Sequence, residues 1–160
     1  MNPYIERILG YLGAQDPILV LQSTSAKLEI LLESFSNSDL ESSYEESKWT
    51  AREILCHLAD VEMLIGYRIR QGIAEDNYTV QNMEQDLWAT RYKKLDAALA
   101  VETFRALRAW NLALFTTFGL EEWNKEVTHP ARGVETVDLM VRFLAGHDLN
   151  HLAQLEKIQK

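Results

Sequence analysis

Apolar residues recur along this chain at helical spacing, and no alternating run long enough to mark a strand stands out. Leu21, Leu28, Leu31, Leu32 and Phe35 form one stripe. Ile54, Leu58, Val61, Leu64 and Ile65 form a second. Phe104, Leu107, Leu114, Phe115 and Phe118 form a third, and Met140, Leu144, His147, His151 and Leu155 a fourth. Four long helices are therefore predicted. The first starts at Asp16-Pro17, a capping acid before a proline at the first helical position, and runs to about Phe35. The second starts at Thr50, where Thr50 and Glu53 make a capping box, and ends near Gly72. The third covers about Val101 to Phe118 and stops at Gly119. The fourth begins after Thr136 and reaches about Ile158. With only 7 Gly and 3 Pro, the chain reads as all-α.

The connections narrow the architecture. Residues 73–100 are long and mixed, with partial helix around Asn82 to Tyr92. Residues 119–135 hold Trp123, His129-Pro130 and Gly133. Long connections permit a crossover, so a four-helix bundle with at least one crossover is expected, and residues 1–160 form one domain. The formal charge of −8, with scattered basic residues, argues against nucleic acid as a partner. One cysteine excludes an intramolecular disulfide and fits a reducing cytoplasm. The N-terminal residues show no apolar signal core, and the run Ile18 to Leu21 is too short for a membrane span.

The candidate chemistry lies in the histidines. His147 and His151 are one turn apart on the apolar face of the last helix. His57 faces inward on the second helix, in register with Ile54, Val61 and Leu64. A lone inward histidine is most simply bonded to a carbonyl. An i,i+4 pair plus a third inward ring is better explained by a divalent metal, with three protein ligands and one position left for water or substrate. The run His147-Asp148-Leu149-Asn150-His151 is a poor zincin motif. Its acid is Asp, and only nine residues follow His151, too few for a downstream third ligand.

Other residues carry smaller expectations. Asp60 is a candidate to orient the His57 ring, or else a solvated carboxylate. His129 is placed in a surface or loop-packing role in preference to the site mouth. Cys56 reads as core, since it lies about 100° around the helix from His57. Trp49, Trp88, Trp110 and Trp123 read as core or interface. Arg91 and Arg108 are candidates for a substrate carboxylate, with surface salt bridges the more ordinary role.

The run from Trp49 to Glu62, including Thr50, Glu53, Ile54, Leu55, His57, Leu58 and Asp60, resembles a block of the DinB/YfiT-like superfamily. So do Phe104 to Arg108, the loop His129 to Gly133 with Thr136 and Val137, and the closing His147…His151…Gln154. The resemblance spans nearly the whole chain. It implies a bundle of up-down-down-up topology and a metal, zinc or nickel, held by His57, His147 and His151. It implies thiol-dependent transfer as the first class of activity, with a low-molecular-weight thiol as partner, and metal-dependent hydrolysis as the second. A non-catalytic, stress-related metal- or ligand-binding protein is the third. It also implies a homodimer. The substrate, the reaction and the native metal are left open by it.

Overall fold

Each long helix begins where a short polar side chain takes up its free amides. The computed structural model describes residues 2–159. Asn2 caps α1 (Pro3–Leu12), and Asp16 caps α2 (Pro17–Ser34) by accepting from the Ile18 and Leu19 amides. Ser36 and Asp39 cap the single turn of α3 (Asn37–Leu40). Thr50 and Glu53 close a reciprocal box on α4 (Ala51–Ala74). A short α5 (Gln85–Ala89) precedes α6 (Ala97–Phe115), which Asp96 caps. The chain continues through α7 (Leu120–Asn124), β1 (Glu126–His129) and β2 (Gly133–Thr136) to α8 (Val137–Ile158), which Thr136 caps. The third long helix thus starts earlier than its apolar stripe suggests, because Asp96 and not a hydrophobic residue sets its origin.

Two apolar clusters fix the direction of each helix. One joins Leu21 of α2, Ile65 and Ile69 of α4, Phe115 of α6, and Val137 to Leu144 of α8. The other joins Leu28 and Leu31, Ile54 to Leu58, Val101 and Phe104, and Leu152 to Ile158. The starts of α2 and α8 therefore meet the ends of α4 and α6. This is an up-down-down-up bundle in which α4 and α6 run parallel side by side. A parallel pair requires the intervening chain to return along the whole bundle, which is why residues 75–96 are so long.

Two elements depart from the expected helices. α1 docks along α8, burying Ile5, Ile8 and Leu12. The approach is so close that a Cβ on Gly146 would collide with the Ile8 carbonyl oxygen. The segment expected as loop between Val127 and Thr136 is an antiparallel hairpin with His129 opposite Gly133, closed by Gly133 at φ 87°. The crossover joins it: the Val80 amide donates to the Thr128 carbonyl, and the Thr128 amide to that of Tyr78. That pairing lays residues 81–85 over one side of the bundle.

The inner face of α6 is also not the predicted one. Phe104, Arg108, Asn111 and Phe115 point inward, while Leu107 and Leu114 are half-buried. Arg108 is 1% exposed and lies between the two apolar clusters. It donates to Asp148 and Glu62 at 2.7 Å each, and to the Leu21 carbonyl at 3.0 Å. Asn111 donates to the second Glu62 oxygen at 2.7 Å. Burial opposes its charge, but the two carboxylates raise the Arg108 pKa, so it stays protonated. Arg108 is thus a core ion-network residue, not a substrate ligand and not a surface salt bridge. Trp123 packs on Phe115 and Phe118, and Trp88 is half-buried. Trp110 is 67% exposed, outside the core. Among the described residues, no helix is long and apolar enough to cross a membrane.

Candidate metal centre

α4 and α8 pack against each other, and their contact brings three imidazoles together. His57 comes from α4, and His147 and His151 from successive turns of α8. The Nε2 of His147 lies 3.1 Å from the Nε2 of His57 and 3.1 Å from the Nε2 of His151. Exposure is 2% for His57, 3% for His147 and 7% for His151. Among the described residues no Cys, Asp or Glu joins this group.

The protons decide what the cluster is for. His151 Nδ1 lies 2.7 Å from Gln154 Oε1, whose amide nitrogen donates to the Tyr44 hydroxyl at 3.2 Å. With its oxygen turned to the ring, Gln154 assigns the His151 proton to Nδ1 and leaves Nε2 as a lone pair. One Nε2–H of His147 cannot serve both neighbours, and the Nδ1 atoms of His57 and His147 are buried without a partner. Three basic nitrogens facing one another are mutually repulsive unless a cation takes their lone pairs. The two 3.1 Å spacings fit one, and all three ligand atoms lie within 4.8 Å of one another. Metal–nitrogen bonds of about 2.0–2.1 Å in a tetrahedron put ligand nitrogens about 3.3 Å apart. The residues present therefore suit a divalent ion.

Burial keeps these rings neutral, which is the ligating form. Desolvation, and then the neighbouring His151, lowers the His57 pKa to about 3. Burial lowers His151 to about 4, against the opposing bond to Gln154, and takes His147 well below its ordinary value. The unfolded chain takes up protons on His57 and His151 below about pH 6.5, and the folded protein only near pH 3 to 4. Stability of the metal-free protein is therefore full above about pH 6.5 and falls as the pH drops towards 4. At about pH 4.5 the expected loss is on the order of 2 to 3 kcal/mol for each of His57 and His151. Urea unfolding of the chelated protein at several pH values reads this directly. A His57→Asn variant should show a shallower decline, and equal slopes for the two proteins would contradict the assignment.

The surrounding residues differ in part from the sequence reading. The Trp49 ring stands 4.7 Å from that of His57 and also contacts Tyr92. Asp60 does not orient His57. It accepts from the Tyr92 hydroxyl at 2.8 Å, because its side chain turns to the segment preceding α6. Cys56 is core: burial pushes its thiol up to about 11, and it touches the Tyr92 carbonyl at 3.9 Å. Arg91 is exposed and lines neither cleft of the site. His129 is not a surface residue. The hairpin carries it inward, where it lines a cleft with His57 and His147. Its Nδ1 accepts from the Ala131 amide at 3.1 Å, and burial lowers its pKa to about 4.

Two clefts meet at the histidines. The first, about 410 Å³, has apolar walls from Val61, Leu64, Ile65, Met83 and Phe143. The second, about 370 Å³, is polar, with Arg7, Lys48, Asn150 and Gln154. Tyr4, His57 and Gln85 border both. Tyr4 and Arg7 belong to α1, which no periodicity in the sequence analysis marked.

The DinB superfamily model matches residues 21–155. The chain belongs to the DinB superfamily. It is 25% identical over 126 residues to the Oceanobacillus iheyensis protein OB0782, named provisionally as a metal-dependent hydrolase, covering 78% of this chain and 73% of that one. It is 23% identical over 146 residues to YfiT of Bacillus subtilis, covering 89% and 82%. The solved structure of YfiT, described as a probable metal-dependent hydrolase with an unusual four-helix bundle topology, superposes with a TM-score of 0.85 over 89% of this chain and 83% of that one. A mycothiol-dependent maleylpyruvate isomerase shares the fold with a TM-score of 0.71 at 12% identity, over 87% of this chain and 59% of that one. The DinB fold thus accounts for the order of the helices.

Proposed function

We propose that this protein is a metal-dependent enzyme that activates a small nucleophile, a thiol in the first instance, at an ion held by His57, His147 and His151. The observation that carries this reading is the convergence of three neutral imidazole nitrogens at the meeting point of two clefts. When bound, the ion lowers the pKa of the nucleophile it holds. Imidazole donors suit zinc and nickel alike. Gln154 holds the His151 lone pair towards the site, and Trp49 packs the His57 ring in place. Three protein ligands leave one coordination position for a reactant. The polar cleft suits a small zwitterionic thiol beside Arg7 and Lys48, and the apolar cleft suits an electrophilic acceptor. Two dissimilar clefts favour group transfer between two reactants. Hydrolysis of one substrate by water is the second reading, favoured by the naming of the relatives.

Calorimetry of the zinc- or nickel-loaded protein with cysteine and other low-molecular-weight thiols tests the reading. Heat is expected with at least one thiol, and none with the His151→Ala form. No heat, together with turnover of an ester or amide, moves the assignment to hydrolase. No heat and no turnover leaves a non-catalytic binding protein. We also propose a cytoplasmic homodimer. Leu19 and Ile30 of α2, with Leu99 and Trp110 of α6, are each at least 60% exposed, and the two helices pack side by side, so a second copy seated there would cover large apolar side chains of both. Light scattering should give twice 18.4 kDa, and a species of 18.4 kDa would refute the dimer.

A further inference from the structure

Two arginines are buried in this protein, Arg108 at 1% and Arg68 at 4% exposed, and their surroundings are opposite. Arg108 meets two carboxylates. Arg68 donates one Nη2 bond to the Gln81 carbonyl, its Nε is buried without a partner, and among the described residues no carboxylate pairs with it. It lies in α4, eleven residues after His57, so about three turns place both on one face. Both line the apolar cleft.

The charges around Arg68 do not neutralise it. Arg132, on the same cleft, is held by Glu135 through two bonds, Nε to Oε1 at 2.5 Å and Nη2 to Oε2 at 2.8 Å. That carboxylate is already taken. Glu84 also lines the cleft, but is exposed. Burial first, and then the Arg132 charge, lower the Arg68 pKa against smaller opposing effects of Tyr78 and Glu135, yet a guanidinium stays protonated near neutral pH. A buried, unpaired cation is costly, and a charged ligand is the usual remedy. His129 adds to the cleft: its Nδ1 accepts from Ala131, so the proton of the neutral ring sits on Nε2.

We infer that the apolar cleft takes a substrate with an apolar body and a single carboxylate, and that Arg68 binds that carboxylate. One uncompensated guanidinium matches one negative charge, and the walls of Val61, Leu64, Ile65, Met83 and Phe143 match a hydrocarbon body. A phosphate dianion has too few cations here, since Arg132 is neutralised and Glu84 repels it. The inference deepens the proposed function and rests on it only in placing the reacting end of the substrate at the histidines.

The test uses the full chain, both as purified and after chelation, with hexanoate and uncharged hexanamide as probes. Binding is read by calorimetry and by shifts of amide resonances lining the cleft. Hexanoate is expected to bind at least about tenfold more tightly than hexanamide, a preference that double-charged inorganic phosphate does not share. Arg68→Met should erase the preference, and Arg68→Lys should keep part of it. Circular dichroism checks that each variant folds, and the lysine variant carries the test if the methionine one does not. Equal binding of the two probes by the unaltered protein overturns the inference, as does tight hexanoate binding by Arg68→Met. A carboxylate preference in a protein that takes up no metal keeps the inference and sinks the proposed function. Stoichiometric metal with no carboxylate preference does the reverse.

Discussion

Replacing His147 with alanine is expected to abolish stoichiometric metal binding. His147 is the central member of the cluster, with its Nε2 at 3.1 Å from both other ligand atoms. Its loss leaves His57 and His151 as two donors on different helices. Loss of a residue that only supports a ligand already costs about 10- to 100-fold in affinity. Removing a ligand outright should therefore exceed about 100-fold. Elemental analysis should find close to one zinc or nickel per chain in the unaltered protein and a small fraction of that in His147→Ala. Unchanged content in the variant would sink the assignment. The same site should stabilise the fold by mass action, because the three rings converge only when α4 and α8 pack. At an ion concentration a hundredfold above its dissociation constant, the gain is about 2.7 kcal/mol. Chelation should lower the melting temperature of the unaltered protein, and should scarcely move that of the variant.

The second large effect is expected from Arg108→Met. The methionine fills much of the same volume but leaves Glu62 and Asp148, both buried, without their cation. Breaking one side of a buried ion network typically costs about 3 to 5 kcal/mol. For a chain of this length that is roughly 10 °C in melting temperature. Urea unfolding should show the loss. Adding Glu62→Gln and Asp148→Asn to the same variant should recover part of it, because the stranded charges are then gone. A single variant as stable as the unaltered protein would show that the network contributes nothing to the fold. The network also ties α4, α6, α8 and the Leu21 carbonyl of α2 at one level of the bundle. It thereby holds α6 in register with α4 and α8, the two helices that carry the histidines.

The sequence by itself determined the features that depend on near neighbours. Asp16 and Thr50 cap the helices they were expected to cap, and the last helix begins after Thr136 as expected, because a capping side chain bonds amides only two or three residues away. The inward stripes of α2 and α4 followed from local periodicity, as did the inward placement of His57, His147 and His151. The four blocks of family resemblance added the up-down-down-up order of the helices. Tertiary structure alone decided the rest. Leu107 and Leu114 looked like the core face of α6, but Arg108 and Asn111 took it, because Glu62 and Asp148 on two other helices satisfy them. Asp60 lies beside His57 in sequence, yet Tyr92, from beyond the crossover, claimed its carboxylate. α1 was invisible until Gly146 offered it a place to lie, and the hairpin until the crossover paired with it. His129 and Arg68 came to one cleft in the same way. Whether a polar side chain is core, ligand or surface depends on which partner reaches it in space. Those partners lie tens of residues away, where neither periodicity nor capping chemistry carries a signal.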